Sequence, residues 1–184
     1  GIAWAFQTSR GDGEIRPNHN LEGTDFGKWV LGDDNTISGG SMSCYEVVLF
    51  AAFNQGFIAK EDLVPHYGVE TQDICTWMDK TICTNSIPLI STNPTPNQLR
   101  PNPGDLIIFG DNTRDPGEQA PSTNVHVVTA VGNLEGPITV ISHHKEGGPP
   151  VELSLDDLFL DMAHLDGQEM RFFEPQWPMS NDGV

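Results

Sequence analysis

The chain has little that would carry it to a membrane or to nucleic acid. Its longest apolar run, 47–53, is about a third of the roughly 20 residues that a membrane-spanning helix needs. Basic residues are scarce. Nine Lys and Arg stand against 26 Asp and Glu, a formal net charge of −17, so a phosphate backbone or an anionic bilayer is repelled over most of the surface. Neither nucleic acid nor membrane insertion is expected, and the acidity suits solubility or attraction to a basic substrate or partner. No charged segment leading into an apolar one opens the chain, so no signal peptide is visible and the sequence reads as a mature form or an excised domain. There is no internal repeat and no low-complexity tract. At 184 residues the chain suits one domain, 1–184, with a hydrophobic core of its own.

Cysteine is also scarce, and three of them allow one free thiol and one pair. Cys75 and Cys83 would stand about 12 Å apart along an unbroken helix, too far for a disulfide. A bridge between them requires the helix to end first, which Thr81 and Thr84-Asn85-Ser86 permit; both otherwise read as structural. Cys44 is different. Ser43 and Glu46 have the spacing of a capping box, which makes Ser43 the N-cap and Cys44 the first residue of a helix. The positive end of that helix favours thiolate over thiol, and thiolate is the reactive form.

The rest of the chain falls into three stretches. Residues 1–40 carry the turn signals Gly11-Asp12-Gly13, Arg16-Pro17-Asn18 and Gly32-Asp33-Asp34-Asn35, which predict loops with little regular structure. Residues 43–83 read as helical: one helix from Cys44 to near Gly56, a helical turn at Glu61-Asp62-Leu63, and a third over Ile74, Trp77, Met78 and Ile82 at amphipathic spacing. Residues 85–103 hold five prolines, which make an extended connector. Beyond them 104–110, 125–132 and 138–143 are short apolar runs bounded by Gly, Pro and Asn, the pattern of antiparallel strands. The polar segment 111–123 is long enough to border a site. Ser154 with Asp157 caps a helix over 155–164, and 170–174 supplies a closing strand.

A thiol at a helix start followed by Pro103-Gly104-Asp105-Leu106-Ile107-Ile108-Phe109, then Val125-His126-Val127-Val128 and a strand ending in His143, resembles the NlpC-like and CHAP-like peptidases and amidases of the papain-like superfamily. The resemblance covers about 40–146. It implies an α+β fold, with N-terminal helices packed on a central antiparallel β-sheet, and 57–100 as an insertion shaping the substrate groove. It makes Cys44 the nucleophile and His126 its base. The third polar residue falls at the end of the next strand, where Ser142, His143 and His144 all stand; His143 is the choice made here and His144 an alternative. If Val140 and Ser142 share a face, His143 lies with Ile141 on the other, so strand register decides.

The chemistry then expected is attack of the Cys44 thiolate on an amide carbonyl, with the Cys44 backbone N–H meeting the oxyanion. Peptide or peptidoglycan is the implied substrate and no cofactor is implied. Use as a secreted or periplasmic antibacterial effector follows, with an immunity protein or another protein as partner. Two alternatives stand beside it. A toxin-like protein glutamine deamidase or transglutaminase would use the same Cys44 and His126, and a non-catalytic binding module would use the fold alone. A zinc site on Cys44, His126 and His143 is conceivable, but no Cys-x-x-Cys or His-Glu-x-x-His pair supports it.

Overall fold

Five consecutive buried residues, Leu106–Gly110, make a strand that is apolar on both faces, the pattern of a sheet covered on each side. It is the third strand of a six-stranded antiparallel sheet. The structure, a computed structural model, describes residues 15–17, 23–67, 72–110, 124–132, 134–145 and 149–178. Chain order begins with β1 (Ile15–Pro17), α1 (Asp25–Leu31), β2 (Gly40–Met42), α2 (Cys44–Asn54) and α3 (Lys60–Leu63). A 3-10 turn (Val64–His66), α4 (Gln72–Trp77) and a π turn (Met78–Ile82) follow. Next come β3 (Ile87–Pro88), β4 (Leu106–Gly110), β5 (Asn124–Ala130), β6 (Thr139–Ser142) and β7 (Val151–Ser154), then α5 (Leu155–Asp161), a 3-10 turn (Ala163–Leu165) and β8 (Glu169–Phe173). The large sheet runs β3-β8-β4-β5-β6-β7, while β1 and β2 form a separate parallel pair.

Strand alternation sends neighbouring side chains to opposite faces. Leu106, Ile108, Val127, Val131, Ile141 and Phe173 pack beneath α2 in one core. Ile107, Phe109, Val128, Ala130, Val140 and Phe172 pack with α5 in the other. The chain is therefore an α+β fold with helices on an antiparallel sheet. Helix α2 is buried from Tyr45 through Ala52 because it lies between the sheet and the N-terminal helices, which is why its sequence shows no polar stripe.

Residues 1–40 hold more structure than their turn signals predict. Thr24 caps α1, its hydroxyl accepting from the Gly27 N–H at 3.0 Å, and Phe26, Trp29 and Val30 are buried at three-and-four spacing. Strands β3 and β7 are additions to the expected set. The path from Cys75 to Cys83 stays helical through the π turn, and both are free, buried thiols. The loop expected over 111–123 lies outside the described residues. Among the described residues no helix is long and apolar enough to cross a membrane.

Candidate active site

The start of α2 is fixed by a buried carboxylate. Ser43 and Glu46 form a complete capping box: the Ser43 N–H donates to Glu46 Oε2 at 2.7 Å, and the Glu46 N–H donates to Ser43 Oγ at 3.2 Å. Glu46 Oε1 also accepts from Thr24 Oγ1 at 2.7 Å and from the Tyr67 hydroxyl at 3.0 Å. One side chain thus ties α1, α2 and the segment after the 3-10 turn. Burial pushes the Glu46 carboxyl above the usual range, although each of these donors pulls the other way. The box satisfies the Glu46 N–H and leaves those of Cys44 and Tyr45, two of the donors a helix start cannot pair internally.

Those two N–H groups turn to the Cys44 thiol, and the Val127 N–H from β5 joins them. Strand N–H groups lie in the plane of the sheet. One flank of Val127 is taken by β4 through its pairing with Ile108, so the thiol stands on the flank toward β6. There the pairing between β5 and β6 runs only over Thr129↔Ile141 and Ala130↔Val140. Beyond Thr129 and Ile141 the ladder does not continue toward His126. Cys44 therefore sits beside Val127, where β5 and β6 part.

Electrostatics at the thiol differ from the expectation drawn from the helix start. Removal of the sulfur from water dominates and pushes Cys44 up to about 11, with the Glu46 charge adding to the rise and the three backbone donors opposing it. The thiol is protonated at neutral pH. Burial raises Cys75 and Cys83 as well.

His126 faces the α5 side. It is the cross-strand partner of Phe109, and the two rings lie 6.1 Å apart. His126 Nε2 is 2.9 Å from Ser142 Oγ, which is 2.9 Å from His144 Nδ1; His144 Nε2 is 3.1 Å from Asp161 Oδ2. Lys145 Nζ is 3.0 Å from the same carboxylate oxygen, and Lys145 and His144 hold Asp161 below the usual carboxylate range. His126 is 2% and Ser142 1% exposed, so these polar groups meet one another in place of water.

The register places the predicted residues as follows. Val140 and Ser142 share the α5 face, and the buried His143 follows the last residue of β6. Ser142 Oγ is within hydrogen-bond distance of His126 Nε2. His144 stands behind Ser142. Asp161 was not anticipated: it lies 17 positions beyond His144 on a helix whose packing the sequence does not display. Its one signal is an acidic residue in the last turn of a helix, where the helix dipole disfavours it. Among the described residues no cluster of three or more His, Cys, Asp or Glu is arranged to hold a metal ion. No protein-family description, curated protein or solved structure matches this chain.

Proposed function

We propose that the chain is a papain-like cysteine hydrolase that cleaves an amide bond, with Cys44 as nucleophile, His126 as base and Ser142 holding the base. The observation that carries this reading is the junction at Val127: its N–H reaches the Cys44 thiol from the sheet edge, and the preceding residue of β5, on the α5 face, is a histidine held through Nε2 by Ser142. With the thiol pushed up to about 11, the proton leaves sulfur during attack. His126 Nδ1 accepts it as sulfur bonds to the carbonyl carbon, and the carbonyl electron pair moves to oxygen. The Cys44 and Tyr45 N–H groups at the helix start are the donors available to that oxyanion. Collapse expels the amine, which takes the proton from His126 and leaves a thioester on Cys44. Water, deprotonated by His126, then adds to the thioester carbon; the C–S bond breaks, Cys44 sulfur takes the proton back from His126, and the acid leaves.

Peptidoglycan peptide stems are the proposed substrate and a secreted antibacterial effector the proposed use, both following the resemblance of the Cys44, Pro103-Gly104-Asp105 and His126 segments. The same steps on a glutamine side chain expel ammonia, which makes this a deamidase. One observation favours a second reading. A thiol raised to about 11 is also what a buried structural cysteine shows, and it suits a non-catalytic binding module whose acidic surface meets a basic partner. The test is to incubate the full chain with a muropeptide mixture and with a glutamine-containing protein, reading new amines and ammonia. Turnover by the parent, lost in Cys44→Ala and His126→Ala with the fold retained, supports the hydrolase. Turnover of neither substrate by the folded parent leaves the binding module.

A further inference from the structure

We infer that His144 and Asp161 are positioning residues that set the direction of the Ser142 hydroxyl and, through it, hold His126 in the tautomer whose Nδ1 can take a proton. This deepens the reading of His126 as the base and rests on it. The hydrogens along one chain of bonds fix one another. A carboxylate only accepts, so the 3.1 Å contact between Asp161 Oδ2 and His144 Nε2 requires the proton on Nε2. A neutral His144 then has a bare Nδ1, which must accept across its 2.9 Å contact with Ser142 Oγ. The Ser142 hydroxyl has one hydrogen, now committed to His144, so across the 2.9 Å contact on its other side it accepts. His126 therefore carries its proton on Nε2 and its lone pair on Nδ1. Reversing any link reverses the rest, because a hydroxyl with one hydrogen cannot donate both ways.

Burial makes this ordering consequential. The His144 side chain is 2% exposed whereas that of Asp161 is 36% exposed, so the direction of a buried chain is set by a group at its wet end. Asp161 is the last residue of α5, a position that favours cations over carboxylates. Helix stability does not call for an acid there; the His144 and Lys145 contacts do.

The experiment is nitrogen-15 NMR of the histidine rings in the full chain, above the histidine titration range, where protonated and bare ring nitrogens give separate signals. In the parent protein, His126 and His144 should each show one tautomer, Nε2–H with a bare Nδ1. Asp161→Ala removes the acceptor at an exposed site, so the α2 core signals should stay in place while His126 and His144 shift to the mixture of unconstrained imidazoles. Asp161→Asn keeps a carbonyl acceptor and should restore the single tautomer. A parent His126 protonated at Nδ1, or a His126 tautomer unmoved by Asp161→Ala, overturns the inference. The readout needs no turnover: a tautomer shift in a protein that cleaves neither muropeptides nor glutamine supports the relay and counts against the hydrolase alone.

Discussion

Alkylation of Cys44 by iodoacetamide, followed against pH, separates two forces that act on one sulfur. The helix start and three backbone donors favour thiolate, whereas burial and the Glu46 charge oppose it. The outcome is a thiol raised from 9.0 to about 11. Two pH units reduce the thiolate fraction at neutral pH about 100-fold relative to an unshifted thiol. Part of that returns, because a more basic thiolate is a better nucleophile; a Brønsted coefficient of about 0.4–0.5 restores roughly 6–10-fold. Labelling of Cys44 should therefore run at least about tenfold slower than that of an exposed peptide thiol at pH 7, and climb about tenfold per pH unit until near pH 11. Mass spectrometry of the Cys44 peptide gives the rate, and His126→Ala should leave the profile in place, since burial rather than a histidine partner sets the thiol. Fast labelling with a midpoint below pH 8, abolished by His126→Ala, would refute this reasoning. It would mean that a thiolate–imidazolium pair overrides burial.

The remaining predictions concern the base and the helix start. Ser142→Ala should lower turnover of any accepted amide by about tenfold or more while leaving KM near the parent value, because it frees the ring and not the substrate; an equal loss in both would assign Ser142 to binding. Glu46→Ala removes the capping box and leaves the buried Thr24 and Tyr67 hydroxyls without their acceptor, a cost of about 3 kcal/mol or more in urea unfolding; a loss below about 1 kcal/mol would contradict its role as the tie between α1 and α2. Because Glu46 titrates above 4.5 in the folded protein, the folded state holds its proton more tightly. Its contribution to stability is full below about pH 4.5 and is lost as pH rises through the raised value. Subtracting the Glu46→Ala pH profile from that of the parent should show that downward slope, and an upward one would reverse the sign of the shift.

Local rules made much of this arrangement readable. Ser43 and Glu46 announce the α2 start, and both members of the capping box are formed. The β4, β5 and β6 runs and the Ser154 cap of α5 follow equally short-range patterns. Faces were harder to read than elements. His126 lies on β5 and His143 just past the end of β6, and which of 142 and 143 shares a face with His126 depends on the Thr129↔Ile141 pairing, a contact that no local pattern encodes. The same limit hid Asp161, whose link to His144 needs α5 laid across the sheet. The thiol is the clearest case of a local rule outweighed. A helix start predicts activation, yet Cys44 packs against the α2 core, and burial there exceeds what the helix N–H groups contribute. Helix α1 was within reach: Phe26, Trp29 and Val30 carry the period, and the turn signals around them obscured it.

Amide cleavage through Cys44 as proposed passes through a thioester on that sulfur. Acid-quenching the full chain during turnover of muropeptides or of a glutamine-containing protein, then mapping its peptides, tests this directly. A substrate-derived acyl mass is expected on the peptide that contains Cys44, removable by hydroxylamine, absent from Cys44→Ala and much diminished in His126→Ala. Undiminished product formation by Cys44→Ala, with no acyl mass on Cys44 in the parent, would contradict it.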